Sequence, residues 1–143
     1  MIHGIDPGFL MATEVVDHAD HASARLIYSR LRAAGDRFAL TPQVLAEFIH
    51  VVSDPKRFSQ PLTMDAALSR AEAWWLTPEV VQLGPLLSGT DTFFTWMRAH
   101  RLGRKRILDT MLAANFHAAG INSILTTNAK DFTVLGGFDR ITP

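Results

Sequence analysis

Four acidic residues lie in widely separated stretches that are otherwise apolar: Asp6, Glu47, Asp109 and Asp131. An ionised carboxylate beside a hydrophobic core needs a hydrogen-bond donor or a cation, and no Lys or Arg recurs next to all four. If the fold brings these side chains together, their mutual repulsion favours binding of a divalent cation such as Mg²⁺ or Mn²⁺. The pattern therefore indicates a metal-dependent enzyme that acts on phosphodiesters.

A run of basic residues precedes Asp109 in the chain. It comprises Arg98, His100, Arg101, Arg104, Lys105 and Arg106. The whole chain balances 14 Lys and Arg against 14 Asp and Glu, so it does not bind nucleic acid through bulk charge. A local patch can still attract phosphates, and the predicted phosphate contacts are Arg101, Arg104, Lys105 and Arg106. The alternative is a solvated helix end followed by a loop.

Length and composition predict one folded domain that spans residues 1–143. The hydrophobic fraction of 48% is ample for a core and too high for a disordered chain. The absence of cysteine excludes disulfides and zinc–thiolate sites. No signal peptide is visible and no apolar run approaches the roughly 20 residues that span a bilayer, so a cytoplasmic protein without a membrane segment is expected.

Short β-rich runs alternate with helical patterns along the chain. The predicted strands cover residues 1–5, 37–40, 80–83, 123–126 and 140–141. The predicted helices cover 9–16, 17 or 20 to 34, 42–52, 64–76, 88–100 and 107–119. Thr41 and Pro42 are typical of the cap and first position of a helix, and Gly120 of a helix end. This alternation predicts an α/β protein with a parallel sheet.

Such a sheet would place the acidic residues at a common edge. Ligand sites in parallel α/β sheets form beyond the carboxyl ends of the strands, and Asp6 and Asp131 each follow a predicted strand. Asp109 falls in the first turn of a helix, where the backbone dipole favours an anion. Glu47 shares an apolar helix face with Phe48, where a carboxylate is unusual.

Small polar residues near Asp131 could support the site. Thr126, Thr127 and Asn128 could hold a carboxylate, a water molecule or a phosphate oxygen. Each acid also has an ordinary structural explanation when it is considered singly: an Asx turn, a helix cap or a surface salt bridge. The combination of four favours a shared site.

These motifs together resemble the PIN-domain family, and more closely its VapC-type toxins. The resemblance covers nearly the whole chain. It rests on Ile-Asp6 after a strand, Thr-Pro-x-x-Leu-x-Glu47-Phe, the Asp109-Thr-x-Leu-Ala-Ala helix that Gly120 ends, and Thr126-x-Asn128-x-x-Asp131-Phe. Their order and spacing are more specific than any one of them.

The resemblance implies a three-layer α/β/α sandwich with a mostly parallel sheet. It also implies an Mg²⁺- or Mn²⁺-dependent endoribonuclease that cleaves tRNA or other structured RNA, a homodimer, and inhibition by a small VapB-like antitoxin. The four acids match the family's metal-binding quartet. As a hypothesis, Asp6 and Asp109 hold the main ion, while Glu47 and Asp131 act through water, place a second ion or orient the attacking water.

The chain departs from the family pattern at three positions. Pro7 and Gly8 stand where many relatives have Ser or Thr and then Asn, and Asn128 stands where several relatives have another aspartate. The last change would lower the charge of the site and weaken a second metal. Two alternatives stay open: a PIN-like RNA- or protein-binding module with impaired catalysis, and a metal nuclease that acts on DNA or flap structures.

Overall fold

The computed structural model describes residues 1–135 and 137–143, and its centre is a five-stranded, fully parallel sheet. The strands are β1 (Ile2–Ile5), β2 (Arg37–Leu40), β3 (Val80–Gln82), β4 (Ser123–Leu125) and β5 (Asp139–Ile141). Their spatial order is β3-β2-β1-β4-β5. All five predicted strands are present; β2 has the predicted ends, and each of the others is shifted by one residue at one end.

Seven α-helices connect and cover the strands. They are α1 (Pro7–Glu14), α2 (His21–Ala33), α3 (Pro42–Val52), α4 (Met64–Trp75), α5 (Leu87–Ala99), α6 (Ile107–Ala118) and α7 (Lys130–Thr133). A 3₁₀ turn, Arg104–Arg106, leads into α6. Within the described residues, none of these helices is long and apolar enough to cross a membrane.

The strand order reverses direction between β1 and β4. The chain runs outward from β1 through β2 to β3, then returns to β4 on the other side of β1 and continues to β5. Because parallel crossovers are right-handed, α1–α4 cover one face of the sheet and α5–α7 cover the other. This arrangement confirms the predicted three-layer α/β/α sandwich.

Local sequence signals explain where the helices begin. The Thr41 side chain accepts a hydrogen bond from the Val44 backbone N–H at 3.3 Å, and Pro42 occupies the first position of α3, as predicted. Helix α1 begins at Pro7 rather than at Phe9, because the fixed φ of proline suits the first helical position. Gly120 follows α6 with a φ of +74°, which a side chain would disfavour.

The core lies on both faces of the sheet. Its fully buried large side chains include Phe9, Phe38 and Phe48 on one side and Phe116 and Phe132 on the other. Helix α6 packs so closely on β1 that a Cβ at Gly4 would lie 2.5 Å from the Phe116 ring. The start of α6 lies at the carboxyl end of β1, because Leu108 and Asp109 line the same cavity as Asp6.

Candidate active site

Asp6 occupies the point at which the strand order reverses. It directly follows β1, and its backbone N–H donates to the Leu125 carbonyl at 3.0 Å, which aligns it with the end of β4. Its side chain is only 6% exposed, and its Oδ2 accepts a 2.8 Å hydrogen bond from Thr126 Oγ1. Ligand sites in open parallel sheets form at this switch point. Thr126 therefore holds the carboxylate of Asp6, as predicted for a supporting polar residue.

Helix α3 carries Glu47 to the same edge. The Glu47 side chain is half-buried, and its Oε1 accepts a 3.0 Å hydrogen bond from Gln43 Nε2, one turn earlier. Gln43 Nε2 also donates to the Leu108 carbonyl at the start of α6, at 3.2 Å. This amide therefore orients Glu47 and ties α3 to the helix that carries Asp109.

Asp109 and Asp131 come from the two helices on the other face of the sheet. Asp109 lies in the first turn of α6, as predicted, and Asp131 lies in the first turn of α7, where a turn or helix cap was expected. Asp131 Oδ2 accepts a hydrogen bond from Asn128 Nδ2, and its Oδ1 lies 3.6 Å from Arg106 Nε. Asp131 is therefore held by one hydrogen bond and one ion pair within its own chain.

The four carboxyl groups line one cavity of about 390 Å³. Other residues that line it include Gly8, His50, Arg57, Thr127 and Asn128. The sequence-based prediction that the four acids converge is met in this respect. Their roles in catalysis and metal binding stay predictions, because a shared cavity does not by itself define a ligand set.

Burial and mutual repulsion raise the pKa of two of these acids. The pKa of Asp6 rises to about 7, mainly through burial and secondarily through the charges of Asp109 and Glu47, although the Thr126 hydrogen bond opposes the rise. The pKa of Asp109 rises to about 6, first through burial and then through Asp131 and Glu47, while Arg106 opposes it. Two acids whose pKa values are raised by burial and by neighbouring carboxylates are typical of a functional site, where a bound cation would favour their ionised forms.

The donor set fits a hard divalent cation. Mg²⁺ binds carboxylate oxygens, keeps several waters and usually needs only one or two protein carboxylates. Within residues 1–135 and 137–143, no three His, Asp or Glu side chains stand close enough to ligate one ion. Asp6 and Asp109, which repel each other in the cavity, suffice as the carboxylate pair of a hydrated ion. The residues therefore fit Mg²⁺ or Mn²⁺ in kind and in charge.

The predicted phosphate contacts separate into two groups. Arg101, Arg104 and Lys105 are exposed on the connection between α5 and α6, where they can meet a polyanion. Arg106 instead turns inward toward Asp131, and its side chain is 22% exposed. The exposed group, called the basic rim and defined here as residues 101, 104 and 105, lies on the connection that leads into α6.

Gln43, which orients Glu47 beside the cavity, was not singled out from the sequence. It carries the signal of an i, i+4 pair with Glu47 on one helix face. Thr127 was grouped with Thr126 and Asn128 as a possible support for a carboxylate, and it lines the cavity. A Cβ at Gly8 would lie 2.4 Å from Thr127 Oγ1 and 3.3 Å from Asp6 Oδ2. The glycine therefore allows Thr127 to approach Asp6.

A second cluster joins a serine, a histidine and an aspartate at the opposite edge of the sheet. Ser123 Oγ lies 2.7 Å from His3 Nδ1, and His3 Nε2 lies 3.4 Å from Asp36 Oδ2. Ser123 is 4% exposed and His3 is 2% exposed. A substrate cannot reach a hydroxyl that is buried to this extent, so the cluster links β1 to β4 structurally and is not a hydrolytic triad.

Replacing Ser123 with alanine is expected to lower the free energy of unfolding by about 1–3 kcal/mol, because it leaves a buried ring nitrogen of His3 without a partner. Urea denaturation of both proteins measures this difference. Ser29→Ala, at an exposed position of α2, is the matched control and should leave the midpoint unchanged. Equal midpoints for wild type and Ser123→Ala would contradict the structural role.

Solved structures of toxins with the same overall fold match the whole chain. VapC20 of Mycobacterium tuberculosis, a sarcin–ricin loop cleaving toxin, superposes with a TM-score of 0.73 at 20% identity and covers 100% of both chains. VapBC2 of Rickettsia felis, bound to a DNA fragment of its promoter, gives 0.71 at 16% identity over 100% of this chain and 99% of that one. VapBC-1 of nontypeable Haemophilus influenzae gives 0.71 at 17% identity over 99% and 98%. No protein-family model and no curated protein matches the chain.

The likeness to these structures establishes the fold. The parallel sheet and its covering helices are those of the PIN-like fold of VapC toxins, as the sequence motifs predicted. At identities of 16–20%, a shared fold does not by itself transfer an activity. Any function must therefore be argued from the acidic cavity and the surfaces beside it.

Proposed function

We propose that this protein is a divalent-metal-dependent endoribonuclease and the toxin of a VapBC-type toxin–antitoxin pair. The observation that carries the proposal is the meeting of Asp6, Glu47, Asp109 and Asp131 in one cavity, at the switch point of a fold shared with VapC toxins. Structural ion pairs do not require four carboxylates at one sheet edge, whereas metal-assisted phosphodiester hydrolysis does use such clusters.

The chain's own residues divide the work of the reaction. When Mg²⁺ or Mn²⁺ is bound, it supplies a Lewis acid for the scissile phosphate and a lower pKa for the attacking water. Asp6 and Asp109 would hold the ion, and Thr126 keeps Asp6 in place through its 2.8 Å hydrogen bond. Glu47, oriented by Gln43, faces the cavity and is suited to accept a proton from that water.

The basic rim supports an RNA substrate. Arg101, Arg104 and Lys105 are exposed on the connection that leads into α6, the helix that carries Asp109. Side chains of this kind position a backbone through its phosphates without reading its sequence. One structural neighbour is a toxin that cleaves the sarcin–ricin loop. By analogy, a tRNA or another structured RNA with an unpaired loop is the proposed substrate class, since loops present accessible backbone and bases.

An apolar groove next to the acidic cavity supports an antitoxin partner. The groove has a volume of about 180 Å³, and its apolar lining residues are Val15, Val16, Phe48, Val52, Phe58 and Leu62. Helix α3 separates the two sites, since Glu47 and Val51 face the cavity whereas Phe48 and Val52 face the groove. An amphipathic antitoxin helix would cover this surface. The homodimeric state that the family resemblance implies and a cytoplasmic location are also part of the proposal and stay predictions.

Metal dependence is the first test of the activity. A structured RNA should be cut in the presence of Mg²⁺ or Mn²⁺ and left intact after the ion is removed with EDTA. Asp109→Asn should lose most of this cleavage, because it removes one of the two proposed ligands. Asp91→Asn, an exposed aspartate on α5, is the control and should cleave like the wild type. Full cleavage in EDTA would overturn the metal-dependent mechanism.

The second candidate is a PIN-like binding module that has lost catalysis. Its support is the engagement of Asp131 by Asn128 and Arg106, which takes one carboxylate away from the cavity. Calorimetric titration with Mn²⁺ separates the two candidates. The enzyme should bind Mn²⁺ and release protons. A pure binding module should show no Mn²⁺ binding, and its affinity for RNA should be unchanged in EDTA. Matched DNA and RNA oligonucleotides then test the choice of nucleic acid.

A further inference from the structure

Arg106, near the acidic cavity, has guanidinium nitrogens that lack hydrogen-bond partners among the described residues. It ends the 3₁₀ turn before α6, and its Nε and Nη2 are buried without a hydrogen-bond partner among the described residues. Its nearest carboxylate oxygen is Asp131 Oδ1, at 3.6 Å from Nε. A buried guanidinium with unsatisfied donors is costly unless opposite charge compensates it. The compensation must come from the acids of the cavity.

Asp131 is engaged on both oxygens. Its Oδ2 accepts from Asn128 Nδ2, and its Oδ1 faces Arg106. By contrast, Asp6 and Glu47 each have one oxygen in a described side-chain hydrogen bond, from Thr126 and Gln43 respectively. Asp6 and Glu47 therefore each keep a carboxylate oxygen outside these side-chain hydrogen bonds, whereas both oxygens of Asp131 have a partner.

We propose that Arg106 takes the place of a second divalent cation, so that the cavity binds one metal ion and Asp131 pairs with Arg106 instead of serving as a ligand. The inference rests on the proposed metal site and specifies its stoichiometry. Arg106 is a positioning residue in this scheme, because it acts through Asp131.

Charge and geometry both support one ion. A guanidinium keeps its positive charge at any physiological pH and has a planar set of donors that suits a carboxylate. A second divalent ion bound at Asp131 would lie within a few ångströms of this charge and would be repelled in a partly buried site. Removing the charge of Arg106 frees one oxygen of Asp131 beside Asp109 and removes that repulsion.

The test counts bound Mn²⁺, with free Mn²⁺ followed by electron paramagnetic resonance, on the full chain. Wild type should bind one ion, and Arg106→Gln should bind a second, weaker ion. Arg106→Lys retains the charge and should bind one ion. Arg104→Gln, an exposed neighbour in the same turn, is the matched control and should also bind one. Circular dichroism shows whether each variant is folded.

A second measurement keeps the inference testable if Arg106→Gln does not fold. In the wild-type background, Asp131→Asn should change Mn²⁺ affinity little, whereas Asp109→Asn should weaken it strongly. Two ions in the wild type, or a large loss of affinity in Asp131→Asn, would overturn the inference and leave the proposed nuclease intact. A wild type that binds no Mn²⁺ and cleaves RNA in EDTA would overturn both.

Discussion

Asp6→Asn is expected to lower RNA cleavage by about a hundredfold or more, because metal-assisted charge stabilisation contributes several kcal/mol to such reactions and about 1.4 kcal/mol changes a rate tenfold. Asp6 is the most buried of the four acids and lies at the switch point of the sheet. Asparagine has nearly the same shape and can still accept the Thr126 hydrogen bond. The loss should therefore come from the missing charge and not from misfolding.

The measurement is the single-turnover rate of cleavage of one labelled structured RNA at saturating Mn²⁺. Asp91→Asn, whose side chain lies on the exposed face of α5, controls for the loss of one negative charge. RNA binding in EDTA should be preserved or slightly improved in Asp6→Asn, because repulsion of phosphate falls. A variant that cleaves at the wild-type rate would remove Asp6 from the proposed metal site.

The same substitution is expected to stabilise the metal-free protein at pH 8, by as much as several kcal/mol. The pKa of Asp6 in the folded protein is about 7, against 3.8 for an unperturbed aspartate side chain, because burial and the charges of Asp109 and Glu47 disfavour ionisation. Between these two values the folded protein binds more protons than the unfolded chain. Stability from this group is therefore greatest at low pH and falls as the pH rises from about 4 to about 7. Asparagine carries no such penalty.

Urea denaturation in EDTA at pH 5 and pH 8 measures this effect. The wild type should lose stability between the two conditions, and Asp6→Asn should lose less. A smaller slope should persist in the variant, because the pKa of Asp109 is also raised, to about 6. Mn²⁺ should stabilise the wild type more at pH 8 than at pH 5, since protons compete for the same oxygens. A lower stability of Asp6→Asn at pH 8 would contradict the assignment of a repulsive, buried carboxylate.

Local signals in the sequence predicted the elements well. Thr41 and Pro42 begin α3 as expected, and Gly120 ends α6. These signals act within one helical turn, through a side-chain cap, a fixed φ or a positive φ. Residues distant in the sequence therefore have little effect on where such a helix begins or ends. The alternation of strands with helices likewise predicted the parallel sheet, because parallel neighbours need a crossover.

The local environment of Asp131 could not be predicted in the same way. The sequence placed it in a turn or helix cap after β4, and it lies in the first turn of α7 with Arg106 against it. The two residues are separated by all of α6 and all of β4, so only the packing of α6 beside α7 brings them together. The sequence likewise grouped Arg106 with its exposed basic neighbours, because adjacency in the chain does not tell which side chain turns inward.

The amino-acid sequence by itself determined which residues could do chemistry. These are four carboxylates after strands, in the first turn of a helix and on an apolar helix face, on elements whose boundaries follow from caps and periodicity. Only the tertiary structure decided how those carboxylates behave. Burial at the β1–β4 switch point raises the pKa of Asp6. Thr126 orients the Asp6 carboxylate and Gln43 orients that of Glu47, while Arg106 pairs with Asp131. The physical reason is that solvent exclusion and charge–charge distances belong to the packed molecule, whereas capping and helical periodicity belong to the chain.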